Sequence, residues 1–125
     1  MWTVKNYERP GGRCPVKDWI DSQDTKTKAS IYGRFRQLEN EDCQNLINIQ
    51  ILVIIRDKHG KPAFPGFYEL RHRTYKWRIA LYYDKGKNSI LLLHGWGKES
   101  KGQNAELEKS RTLLSEYLGR RANDG

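Results

Sequence analysis

At 125 residues the chain has room for one packed domain and not for two. Its 37% apolar content, with four Trp and seven Tyr, argues against a disordered chain, and no window approaches the ~18 uncharged apolar residues needed to span a bilayer. The net charge of +8 is unevenly placed: residues 71–101 hold eight Lys or Arg against Asp84 and Glu99, three quarters of the excess in a quarter of the chain. Such a concentration points to a polyanion partner.

Residues 1–10 lack the apolar h-region of a signal peptide. Cys14 and Cys43 have no metal-ligand spacing, and two thiols make no disulfide framework, so reduced thiols in a cytoplasmic protein are expected. Residues 2–7 alternate loosely as a first strand, which Pro10-Gly11-Gly12 breaks. Pro15 suits a first helical position, and Val16, Trp19 and Ile20 follow on one face. Asp24 or Thr25 can cap a second helix, whose Ile31, Phe35 and Leu38 repeat at helical spacing until the polar cluster 39–42 ends it. The β-branched run 47–55 reads as a buried strand closed by the turn signal 56–60. Asn104 can cap a last helix to about Leu118, with Leu107, Leu114, Tyr117 and Leu118 on one side. Gly119 is placed to stop it, leaving residues 119–125 as a flexible tail. The expected class is α+β, in one domain over residues 1–125.

Between these lie three strand-like runs in residues 67–101, broken near Thr74-Tyr75 and at Lys85-Gly86-Lys87. Strand side chains alternate between faces. Phe67, Glu69, Arg71 and Arg73 therefore share one face; in the next run Arg78, Ala80 and Tyr82 lie opposite the apolar face of Trp77, Ile79, Leu81 and Tyr83. An even-length connection makes Arg71 and Arg78 cross-strand partners. The second turn, with Asp84 across from Ser89, is expected to set Arg78 against His94, Ala80 against Leu92 and Tyr82 against Ile90. Like charges directly opposite are destabilising, so Glu69 or a bound phosphate must compensate the arginines. Lys98 and Lys101 follow in a glycine-rich loop, while Tyr82 and Trp96 interleave with the cations as candidates for base stacking. A solvated sheet face neutralised by Glu69 and Asp84 is the plain alternative. No metal-ligand cluster is visible, so no cofactor is expected.

Gly66-Phe67-Tyr68-Glu69-Leu70-Arg71, then Trp77-Arg78-Ile79, then Leu91-Leu92-Leu93-His94-Gly95-Trp96 and Lys98, resemble a motif series of the HigB-like branch of the RelE/ParE toxin superfamily. Pro15-Val16-Lys17-Asp18-Trp19-Ile20 is similar to the start of that family's first helix, so the likeness covers roughly residues 13–118. It implies two N-terminal helices packed on a twisted antiparallel sheet of about four strands, with a C-terminal helix. It also implies the toxin of a type II toxin–antitoxin pair, a ribosome-dependent mRNA endoribonuclease with a helix-turn-helix antitoxin as partner. By position, Arg71 and Arg78 would hold the scissile phosphate, and His94 and Lys98 would serve proton transfer or charge neutralisation. Arg73, Lys76, Tyr82, Trp96 and Lys101 would contact RNA. Tyr117 matches a position where some members place a functional tyrosine. Glu99 and Gly102-Gln103-Asn104 depart from the pattern, which often has a second lysine and a Thr-Pro there. Two competitors stand beside this expectation: a ParE-like DNA gyrase poison, and a noncatalytic RNA- or ribosome-binding module.

Overall fold

The computed structural model describes residues 1–97 and 101–124. In chain order it forms β1 (Thr3–Asn6), α1 (Pro15–Asp21), α2 (Thr25–Asn40), α3 (Cys43–Asn48), β2 (Leu52–Ile54), β3 (Phe67–Arg71), β4 (Trp77–Asp84), β5 (Ser89–Gly97) and α4 (Gln103–Asp124). The class is α+β with a C-terminal helix. The sheet has five strands in the order β1-β5-β4-β3-β2, not about four. It is mixed rather than antiparallel throughout, because β1 runs parallel to β5.

Three helices precede β2 where two were expected. The run 47–55 divides: Ile47 and Asn48 finish α3, Gln50 takes a left-handed φ of 63°, and only Leu52–Ile54 pair as strand. In so short an apolar run periodicity alone does not separate the end of a helix from a strand. Asp24 caps α2 as expected, accepting from the Thr27 N–H at 2.7 Å.

The sheet is covered on both faces. Val16 and Ile20 of α1, Ile31 and Leu38 of α2 and Leu46 of α3 pack against Leu70, Ile79, Leu81, Ile90 and Leu92. Truncating a fully buried member such as Ile79 to Ala costs about 2–5 kcal/mol in such a core. On the other face Leu113 and Leu114 of α4 cover Phe67, Ala80, Leu91, Leu93 and Trp96. Gly95 lets the first layer close: a Cβ there would overlap the Trp19 indole.

α4 runs through Gly119 to Asp124 instead of fraying after Leu118. Tertiary bonds carry it past the glycine. Arg120 donates to the Glu8 carbonyl at 2.8 Å, and Arg121 stands 2.9 Å from the Asp84 carboxylate. Among the described residues no helix is long and apolar enough to cross a membrane.

A candidate nucleic-acid interface

The β3–β4 hairpin places the expected pair as the alternation requires: Arg71 lies opposite Arg78. Its compensating anion is Glu69, one strand position pair away and only 6% exposed. Glu69 Oε1 accepts from Arg71 Nε at 3.1 Å and also from Arg78 Nη1. One buried carboxylate therefore orders both guanidiniums. That relieves their repulsion, and it also means that the arginines are not an uncovered anion trap.

Around this pair opens a groove of about 550 Å³. Its cationic residues are Arg34, Arg56, Arg71, Arg73, Lys76 and Arg78, and none of its described lining residues is a carboxylate. Ile47, Ile51 and the edge strand β2 supply its apolar side. The hairpin turn presents the outermost cations. His72 Nδ1 accepts the Thr74 and Tyr75 N–H groups at 3.2 and 3.3 Å, the Lys76 N–H returns to the His72 carbonyl at 3.2 Å, and Lys76 takes a φ of 52°. A non-glycine residue in that conformation costs roughly 1–2 kcal/mol, which the local hydrogen bonds offset.

Arg34 reaches the groove from α2, its Nε donating to the Arg71 carbonyl at 3.0 Å and its Nη1 to Gln37 at 2.8 Å. Burial, then repulsion from Arg73, pushes its pKa down, yet a guanidinium stays charged near neutrality. Burial and the nearby Arg34 push His72 down as well. With Nδ1 already accepting two N–H groups, His72 is the neutral member of the groove. The sequence reading included Arg73 and Lys76 but passed over Arg34, Arg56 and His72. Arg34 lies 37 residues from its partner strand, and no local spacing marks it.

His94 departs from the expected register. Asp84 does pair with Ser89, but an irregularity between Ala80 and Leu81 leaves Leu93 as an extra residue on β5. Beyond that bulge His94 stands opposite Ala80, and Arg78 faces Trp96; on the turn side of it Tyr82 pairs with Leu91 rather than Ile90, as the Asp84–Ser89 pair itself requires, so the expected partners were one place off before the bulge added a second. A β-bulge turns two successive residues toward one side, and both Leu93 and His94 meet α4. Arg78 and His94 are thus diagonal neighbours on one face, a separation of roughly 7–8 Å in a regular pair. Their side chains open into different cavities: His94 lines one with Arg9, Arg13 and Lys109, not the groove. Its Nε2 lies 2.7 Å from Glu106 Oε2, and its ring stacks on Trp96 at 5.6 Å.

Trp96 is no stacking platform for bases. It is 3% exposed, under α4, with its Nε1–H given to Gln103 at 2.9 Å. Tyr82 is half-buried beside Phe64 and Tyr117, outside the groove lining. Tyr117 donates to the Asp84 carboxylate at 2.5 Å, and burial ahead of that bond pushes its pKa up to about 12. Lys101 is exposed in the turn before α4, and Lys98 lies outside the described residues. Among the described residues no group of three or more His, Cys, Asp or Glu is arranged to hold a metal ion.

Compared with family models, curated proteins and solved structures, the chain matches none. The chemistry must therefore be argued from the groove. Six cationic side chains without a lining carboxylate suit the oxygens of a phosphodiester backbone, and planar guanidiniums can contact two oxygens at once. The apolar wall along β2 offers a surface for the less polar faces of the same ligand.

Proposed function

We propose that this protein binds single-stranded RNA in the hairpin groove and cleaves it, acting as the toxin of a type II toxin–antitoxin pair on mRNA at the ribosome. The observation that carries this is the carboxylate-free cationic lining, built around a guanidinium pair on a buried glutamate. Entering phosphate oxygens compete with Glu69 for Arg71 and Arg78. Glu69, released from them, can accept the 2′-hydroxyl proton while the 2′-oxygen attacks phosphorus. The P–O5′ bond breaks, the leaving 5′-oxygen takes a proton from solvent in the open groove, since His94 lines a different cavity, and a 2′,3′-cyclic phosphate remains. The arginines stabilise the charge that develops on the pentacoordinate phosphorus. The motif series that resembles HigB-like toxins supports the same assignment, and with it a helix-turn-helix antitoxin as partner.

Primer extension on translated messages tests it. Expression of the wild type yields new 5′ ends and growth arrest; Arg78→Ala at equal abundance yields neither and keeps the fold. Full toxicity of Arg78→Ala would remove the assigned centre. A second reading, RNA or ribosome binding without cutting, is favoured by the pairing of His94 with Glu106 and of both arginines with Glu69. It predicts growth arrest with intact messages. A gyrase poison predicts relaxed plasmids in the same cells.

A further inference from the structure

The geometry points to a second anion site, the pocket beside His94, which takes a single phosphate group. Its lining comes from three parts of the chain: Arg9 and Arg13 from the loop after β1, His94 from β5, and Lys109 from α4. The loop is folded so that both arginines meet one rim. Gly11 and Gly12 take φ values of 97° and 95°, which side-chain-bearing residues rarely adopt. Their turn is closed by the Arg9 N–H to the Arg13 carbonyl at 2.7 Å and the Gly12 N–H to the Arg9 carbonyl at 2.9 Å.

Each cation is held differently. Glu116 takes Arg9 through two bonds, Nε at 3.2 Å and Nη2 at 3.0 Å. Glu106 takes Lys109 at 3.3 Å as well as His94. Arg13 is exposed, and its guanidinium has no side-chain partner among the described residues. Glu106 and Glu116 restrain the rim, yet neither lines the cavity. Three cationic groups against two carboxylates leave a surplus that an anion would balance, and Pro15 and Leu113 form a low-dielectric wall beside it. At about 280 Å³ the cavity lies just below the range of roughly 300–1,000 Å³ that holds drug-sized ligands. It suits one phosphate group and its sugar, not a stack of bases.

The phosphate can belong to an RNA strand or to a free mononucleotide. Only the first source rests on the function proposed above, and it would place a backbone phosphate next to His94. The test follows the His94 ring proton signals of the full chain by NMR while inorganic phosphate is added. A saturable shift is expected. It should weaken about tenfold in Arg13→Ala/Lys109→Ala, the loss of two charge-assisted contacts, and persist in the groove variant Arg73→Ala/Lys76→Ala. The replaced side chains of Arg13 and Lys109 reach solvent, so circular dichroism should report an unchanged fold. No saturable shift, or an equal one in the double variant, overturns the site. If RNA is the source, the double variant also weakens oligoribonucleotide binding; if a mononucleotide is, only the mononucleotide loses affinity. A retained phosphate response with no new 5′ ends in cells would end the nuclease proposal and leave the pocket standing.

Discussion

Glu69 and Asp84 are two buried carboxylates on the same face of one sheet, 6% and 2% exposed, and each holds two partners. Asp84 takes the Tyr117 hydroxyl and the Arg121 guanidinium, both from α4. The guanidinium contact is 2.9 Å but off the hydrogen-bonding direction, so the phenol makes the better bond. Glu69 takes Arg71 and Arg78, which line a cavity. The chemistry is alike and the consequences differ. Holding a remote helix makes Asp84 a fastener of the fold, whereas holding the groove's own cations makes Glu69 a control on how strongly that groove attracts anions.

The comparison breaks most readily at Asp84. Asp84→Ala leaves the Tyr117 and Arg121 groups without their partner, and a loss of about 2–3 kcal/mol is expected. That is below the 3–5 kcal/mol of a fully enclosed pair because Arg121 reaches solvent. Urea unfolding should show it, with groove affinity per folded molecule unchanged. Glu69→Gln should do the reverse: about 1–2 kcal/mol of stability lost, but several-fold tighter binding of a single-stranded polyanion, with a steeper salt dependence. If it bound no tighter, Glu69 would be a second fastener. Arg73→Ala/Lys76→Ala should leave the midpoint in place while lowering the slope of log affinity against log salt by about 1.4, two contacts at ~0.7 each for single strands.

The smallest effect expected is on alkaline stability. The folded Tyr117 phenol keeps its proton from the ordinary value of 10 up to about 12, so the unfolded chain ionises first. Its contribution is complete below pH 10 and is lost as pH rises toward 12. Tyr7, Tyr68, Tyr82 and Tyr83 are shifted in the same direction, chiefly by burial. Tyr117→Phe should therefore flatten, without abolishing, the decline of the urea midpoint over that interval.

What could be read in advance follows from which interactions are local. The helical faces of α1 and α2, the Asp24 cap and the Arg71–Arg78 pairing depend on neighbours a few residues away, so helical spacing, capping chemistry and strand alternation placed them. Glu69 as counter-ion was legible for the same reason. His94 was not: the expected partners sat one place off the Asp84–Ser89 pair, and the extra residue at Leu93, which leaves no mark in a run of leucines, displaces every pairing beyond it by one more. Trp96 was misjudged because nothing near it in the chain announces that α4 will lie over it. The groove's Arg34 and the pocket's Arg9, Arg13 and Lys109 come together only through long-range packing, which charge counting cannot reveal.

The parallel pairing of Thr3 with Ser89 has a consequence in time. β1, the earliest of the five strands, is flanked by β5, the latest, with residues 7–88 between them, and such non-local contacts slow folding. Until then Trp2 can rest on α2, through the bond from its N–H to the Glu39 carbonyl at 3.0 Å, but one flank of the strand stays bare. The sheet therefore closes only once β5 has been made, and until then the second pocket lacks His94 and Lys109.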